Sequence, residues 1–329
     1  MCVIIYTKIG NKIILAKNRD RSYIPHVQII HEILDGVEVA YIKDLDTGWV
    51  EGLNKYGCGM VNSTLNIFDG KNKNKKKMKK NNNILKIISK NNPKNIKNNL
   101  LENDKDIIEG HSLFACENKC LHVENSIKDG FLLSDIKKTT VFTNHGIFFD
   151  AGSTKGIKGL SSMLRKNIIE MELEKNKNNI KTYEDLLFCM NKNYNINPQL
   201  HPYRDNRYSK KYLHNTKNLE KINFVSTTSQ LILNLTDKEF IFCYDNNNSK
   251  FLGYINKLPE NYSPIIKIII RPIQKKIKTD KLNLSKQYLN KLYKKFNYNV
   301  TKKRVIKIND KKNNKTQKNK TQKNKYSNK

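Results

Sequence analysis

Two apolar, β-branched runs open the chain, CVIIYT at 2–7 and KIILAK at 12–17, with Gly10-Asn11 between them. Gly and Asn tolerate the positive backbone angles of a tight turn, so the pattern predicts a β-hairpin. A tight hairpin pairs its two strands end to end. It therefore returns Asn18 and Asp20, at the end of the second strand, to the side of Cys2. On the alternating pleat of that strand, Arg19 is expected to point away from them.

Further strands are predicted over 36–44, 58–64, 112–117, 120–126, 139–145, 231–237 and 239–245, the last two forming a hairpin that turns at Asp237-Lys238. Helical spacing recurs between residues 84 and 103, broken at Pro93, and over 161–175, where Met163, Ile168, Ile169 and Leu173 share a face. Another helix begins near Thr182, where TYED makes a capping box with Asp185 in place of the usual Glu or Gln. Strands, then two helices, then strands again predict an α+β fold on an antiparallel sheet rather than repeated βαβ units. The domain is expected over 2–275, with 276–329 a basic appendage and 195–221 a loop crossing the surface.

The formal net charge of +32 on 329 residues suggests a polyanion binder, but its distribution does not. Much of the excess is Lys interleaved with Asn at 70–83 and from Lys311 onward, where KTQKN occurs twice. Such tracts are too polar to pack, and they lack the aromatic residues that stack on single-stranded bases. No specific nucleic-acid partner is therefore expected. No apolar run reaches the length of a membrane span, and the opening lacks a signal peptide's basic region and cleavage site, so a cytoplasmic protein is expected. The six cysteines show no CxxC pair; CENKC at 116–120 carries one residue too many and has no second pair. Reduced thiols and no metal centre are the expectation.

Chemistry is sought first at Cys2. Methionine aminopeptidases remove Met before a small residue, and Cys qualifies. The trimmed chain would begin with a thiol and a free α-amine on one residue, a nucleophile with its own base. A core cysteine at a strand start is the other reading. Asp20 offers a carboxylate to the amine or thiol. Asn144, closing the strand VFTN, offers an amide donor to a developing oxyanion, or else caps a turn. His145 is the candidate for a Cys–His pair or a structural histidine, and Asn62 could add a polar group.

The ordered segments MC, KNRD, EGLNKYGCGMVNSTL, HSLFACENKCLHVENS, TNHG, SSMLR and STTSQLILNLTDKEFIFCYD resemble the N-terminal-nucleophile cysteine hydrolases. The resemblance is to the acyl-CoA:6-aminopenicillanate acyltransferase group and its choloylglycine hydrolase, penicillin V acylase and acid ceramidase relatives. It spans about residues 2–250, with the Lys/Asn tract inserted. It implies an αββα sandwich of two antiparallel sheets with helices outside. It implies Cys2 as nucleophile, Asp20 at its amine, Asn144 in the oxyanion hole and Arg165 in support. Many relatives carry Arg before the Asn of the turn, where this chain has Lys17; Arg19 follows that Asn, as in the related NRDE proteins. Lys17, Asn18 and Arg19 are therefore expected to support the site or touch substrate.

The activity so implied is amide hydrolysis or acyl transfer on a small acyl amide or thioester, through a thioester on Cys2 and with no cofactor. Thr64 to Phe68 and the 195–221 segment, with Arg204 and Arg207, are expected near the substrate. Two other classes stay open. One is a basic polyanion-binding protein in which Cys2 is merely buried; the other is a non-catalytic heme- or lipid-handling protein of the NRDE type.

Overall fold

The computed structural model describes residues 2–21, 24–65, 88–90, 92, 94–102, 108–117, 119–126, 129–149, 156–194, 201–204, 225–246, 250–273 and 279–280. The Lys/Asn tract at 70–83, most of 195–221 with Arg207, and the appendage from 276 apart from 279–280 lie outside them.

The opening hairpin forms as predicted, from β1 (Cys2–Ile9) and β2 (Lys12–Arg21), with Gly10 at φ 60° in the turn. Cys2 pairs with Arg19 across it. Both strands run further than their apolar runs, because β2 carries LysAsnArgAspArg to its end in extended form. The hairpin is central to a six-stranded sheet. β10 (Thr140–Phe142) flanks β1, and β12 (Ser226–Asn234), β13 (Glu239–Tyr244) and β15 (Lys267–Pro272) follow β2. An eight-stranded sheet faces it, ordered β14 (Lys250–Asn256), β3 (His26–Leu34), β4 (Val37–Asp44), β5 (Val50–Asn54), β6 (Cys58–Thr64), β7 (Gly110–Cys116), β8 (Lys119–Ser126) and β9 (Gly130–Ile136). A short parallel pair joins β11 (Asn193–Tyr194) to β16 (Thr279–Asp280). Each large sheet departs from the expected antiparallel pattern at one edge, where β15 and β14 pair in parallel with β13 and β3.

Strand alternation divides the core into three layers. Ile4, Tyr6, Ile13 and Leu15 of the hairpin face Val27, Ile29, Ala40, Ile42 and Leu53 of the other sheet. On the opposite face of the hairpin, Val3, Ile5, Ile14 and Ala16 pack under Ile169, Leu173, Leu186 and Met190 of helices α2 (Gly156–Lys175) and α3 (Tyr183–Met190). The outer face of the eight-stranded sheet packs with Ile96 and Leu100 of α1 (Ile96–Glu102). The architecture is therefore an α+β sandwich, helix–sheet–sheet–helix. Helix α3 begins with the predicted capping box: the Thr182 hydroxyl accepts from the Asp185 amide, and the Asp185 carboxylate accepts from the Thr182 amide. Gly57, at φ 68°, lets the β5–β6 turn reach the far sheet, since a Cβ there would stand 2.3 Å from the Leu235 carbonyl oxygen.

One cysteine expectation is corrected. Cys58 and Cys116, direct partners across β6 and β7, form a disulfide with Cα atoms 4.1 Å apart. Distant in sequence, they are adjacent only in the sheet, which no local spacing reveals. Cys2, Cys120, Cys189 and Cys243 are free and buried. Among the described residues no helix is long and apolar enough to cross a membrane.

Candidate active site

The space between the sheets is apolar along most of its length and ionic at the end where Cys2 lies. Because apolar Ile13 and Leu15 of β2 face inward, so do Lys17, Arg19 and Arg21, two residues apart. The opposing sheet answers with Asp44 and Glu51. Lys17 pairs with Glu51; Arg19 donates to Glu51 at 3.0 Å and to Asp44 at 3.1 Å; Arg21 reaches Asp44 at 3.4 Å. Removing these charges from water costs several kcal/mol per ion unless each is paired, which the alternation of signs achieves. Burial pushes the Glu51 carboxyl up, but Lys17 and Arg19 more than offset it and hold it below the usual carboxylate range.

Cys2, directly opposite Arg19, shares this face. The expectation that Arg19 points away from the site is thus corrected: it points away from Asp20 but lies on the thiol's side. Arg21, which sequence reasoning passed over, is the cation in contact with the thiol, its Nη1 3.6 Å from Sγ. Trp49 caps the cations, its ring center 5.1 Å from the Arg21 guanidinium carbon and 5.8 Å from Lys17 Nζ. Full burial pushes the Cys2 thiol up; Lys17 and Arg21 are among the cations that reverse this and bring it down from 9.0 to about 7.

The backbone of Cys2 is held from the helix side. Its nitrogen donates to Asn144 Oδ1 at 3.0 Å, and its carbonyl accepts from Arg165 Nη1 at 3.1 Å. Arg165, on α2, also donates to Asn144 Oδ1 at 2.9 Å and reaches Asp20 at 3.4 Å. Asp20 accepts from the Thr227 hydroxyl at 2.8 Å and lies 3.7 Å from Arg204. Burial lowers the Arg204 guanidinium to about 9, with Arg165 adding to the effect and Asp20 opposing it. Asp20 thus grips Arg165, and Arg165 grips Cys2 and Asn144. Arg204, expected on a substrate loop, is instead fully buried in this network.

Asn144 meets Cys2 with its oxygen. Its NH2 donates to Ser63 Oγ at 3.0 Å and to the Thr64 carbonyl at 2.6 Å. Ser63 in turn donates to the Thr143 carbonyl at 2.8 Å, so β6 and the loop after β10 are tied together beside Cys2. Asn62 accepts from Lys17 at 3.3 Å and belongs to the ionic layer. Asn18 lies on the helix face, where it donates to the Met190 and Pro202 carbonyls and accepts from Gln230; it anchors α3 rather than the thiol. The His145 ring bonds to the Ser162 and Thr143 hydroxyls, and burial lowers it to about 4. A contact with Cys2, which a Cys–His pair would need, is not among its bonds in the described residues.

The loop bearing Asn144 is itself clamped. His111 Nε2 bonds to the His145 carbonyl at 2.8 Å, and Glu124 accepts the amides of Ile147, Phe148 and Phe149 at 3.0–3.2 Å. Cys2, Asp20, Asn144, Arg165, Lys17, Arg19 and Asn62 are therefore brought together by the fold. Asn18 and His145 support it from the flanks.

No protein-family model matches the chain, and no curated protein matches it. Among solved structures it is similar to penicillin V acylase from Agrobacterium tumefaciens, with 9% identity over 74% of this chain and 86% of that one, at a TM-score of 0.39. The likeness is one of fold alone.

Proposed function

We propose that the protein is an N-terminal cysteine amidohydrolase or acyltransferase acting on a small acyl amide or acyl thioester, with Cys2 as nucleophile after removal of Met1. One observation carries the reading. Cys2 has its nitrogen fixed by Asn144 and its carbonyl by Arg165, while its thiol lies under cations that bring it down to about 7. A cysteine that merely fills a core needs none of these groups, and burial raises its pKa, as it does for Cys120 with Asp135 adding to the effect.

In this reading the thiolate attacks the substrate carbonyl, forming the carbon–sulfur bond. The tetrahedral intermediate collapses with loss of the amine, which takes a proton from the α-ammonium. Water or an acceptor amine then attacks the thioester, giving acid or a new amide and restoring the thiol. In this reading the freed α-amine keeps the bond to Asn144 Oδ1 that the Cys2 nitrogen makes in the untrimmed chain. An oxyanion role for Asn144 requires its NH2 to exchange Thr64 for the substrate oxygen. Because Cys2 is fully buried, substrate must also displace Arg21 from the thiol or use it as a polar contact.

Intact and peptide mass spectrometry tests this, before and after brief exposure to limiting iodoacetamide near neutral pH. Loss of Met1 with label on Cys2 and not on Cys120, Cys189 or Cys243 is the expected result. Retained Met1, or label spread evenly, would overturn the mechanism and favour the reading of Cys2 as a buried core residue.

A further inference from the structure

We propose a second site, distinct from the nucleophile: a divalent transition-metal site, best suited to zinc, formed by His111, His122 and Glu124 between the sheets. His111 on β7 stands directly opposite Glu124 on β8, and His122 lies on the same face of β8, two residues from Glu124. All three side chains are fully buried, and one ligand atom from each falls within 4.8 Å of the others.

The donor geometry matches a metal better than a plain core network. His111 Nδ1 and His122 Nε2 face each other at 3.0 Å. Two imidazole nitrogens on a tetrahedral zinc, each at about 2.0–2.1 Å, stand roughly 3.3 Å apart, so a few tenths of an ångström of opening admits the ion. The metal takes the place of the proton between these nitrogens, which moves to His122 Nδ1 and is donated to the Ser134 hydroxyl, so both rings bind as neutral imidazoles. Their outward nitrogens already have the partners that orient metal-bound histidines: His111 Nε2 bonds to the His145 carbonyl at 2.8 Å, and His122 Nδ1 to the Ser134 hydroxyl at 3.3 Å. The His122 ring is further fixed by stacking on Phe142, centroids 3.9 Å apart. Glu124 Oε2, 3.9 Å from His111 Nδ1, supplies negative charge to a site otherwise made of neutral rings. Its oxygens also accept the amides of Phe148 and Phe149, and the Ile147 amide is shared between the two oxygens at 3.0 and 3.2 Å; an ion takes the Oε2 position of that shared bond and leaves Ile147 on Oε1.

His145 and residues 147–149 follow Asn144 directly, so an ion here ties the loop that holds Cys2 to the eight-stranded sheet. The site supplies no ligand to the reacting thiol; it positions.

The test uses full-length protein carrying Cys2→Ala, which removes the competing thiolate, and zinc chloride alone as probe. Equilibrium dialysis with elemental analysis should give about one zinc per chain. His122→Asn and Glu124→Gln, each in that background and checked for folding by circular dichroism, should weaken binding about 100-fold and about tenfold. Should either variant fail to fold, zinc-edge anomalous diffraction from crystals of the Cys2→Ala protein decides, with a peak expected between His111 Nδ1 and His122 Nε2. No zinc retained by the Cys2→Ala protein, affinity unchanged in both variants, or an anomalous peak elsewhere would overturn the proposal.

Discussion

The thiol of Cys2 should ionise near neutrality, and the structure says by which groups. Burial opposes ionisation; Lys17, the terminal amino group and Arg21 together more than offset it and bring the pKa from 9.0 to about 7. At pH 7 such a thiol is half ionised, against about 1% for one at 9.0, a roughly 50-fold advantage in thiolate. A less basic thiolate is also a weaker nucleophile. With a Brønsted slope of about 0.45, two pKa units cost it roughly eightfold, leaving about sixfold faster alkylation at pH 7. Above pH 9 both thiols are ionised and the order reverses, which gives the assay a signature that simple accessibility cannot imitate. Iodoacetamide rates read by peptide mass spectrometry between pH 5 and 10 should show Cys2 half-maximal near 7. Burial pushes Cys189 up to about 11 and raises Cys120 and Cys243 as well, so those residues should stay dark at neutral pH. Lys17→Met should move the Cys2 midpoint up by at least about one unit, equivalent to roughly 1.4 kcal/mol, and Arg21→Gln should move it in the same direction. A wild-type midpoint near 9, or one unmoved in both folded variants, would refute the electrostatic argument.

Arg165→Met strands Asp20 with Arg204 at longer range and frees Cys2 and Asn144; a loss of about 3–5 kcal/mol in urea unfolding and near-complete loss of turnover are expected. The Cys58–Cys116 bridge closes a loop of sequence separation 58, so a Cys58→Ala, Cys116→Ala double variant should lose about 4 kcal/mol by the same measurement. Stability should fall in acid. Glu51 and Asp44 are held below the ordinary carboxylate range despite burial, so their contribution is full above about pH 4.5 and is lost as pH drops through their folded values. Thermal melts from pH 7 to 3 should show that loss, and Glu51→Gln should flatten it. Deletion of residues 302–329 should leave turnover of an acyl-amide substrate within about twofold, whereas a polyanion-binding function would be abolished by it.

The hairpin was readable because β-branched runs and Gly10-Asn11 are local signals, and so was the Thr182 capping box. β3 was missed: in HVQIIHEIL, polar Gln28, His31 and Glu32 interrupt the apolar residues and blur the alternation. β14 and β15 were missed because their parallel pairing rests on partners far away in sequence. At the site, Cys2, Asp20, Asn144 and Arg165 could be named through a resemblance. Their linkage through Arg165 could not, since it depends on which face of β2 each residue takes. The alternation that put Asp20 toward the helices also put Arg19 and Arg21 toward the thiol. A signal for Arg21 was present: from Ile13 onward, every second residue of β2 faces the other sheet, and continuing that count reaches Lys17, Arg19 and Arg21.

The burial of the Cys2 nitrogen sets a timetable. Asn144 holds that nitrogen and Arg165 holds the carbonyl of the same residue, and the two lie 142 and 163 residues further along the chain. At roughly 5–20 residues per second, a ribosome needs about 8 to 30 seconds to travel from Cys2 to Arg165. Once that arginine arrives and α2 docks, the nitrogen and carbonyl of Cys2 are both engaged inside the fold. On the proposed mechanism, removal of Met1 is expected to be fastest on the nascent chain, before those contacts form, and to slow once the chain has folded.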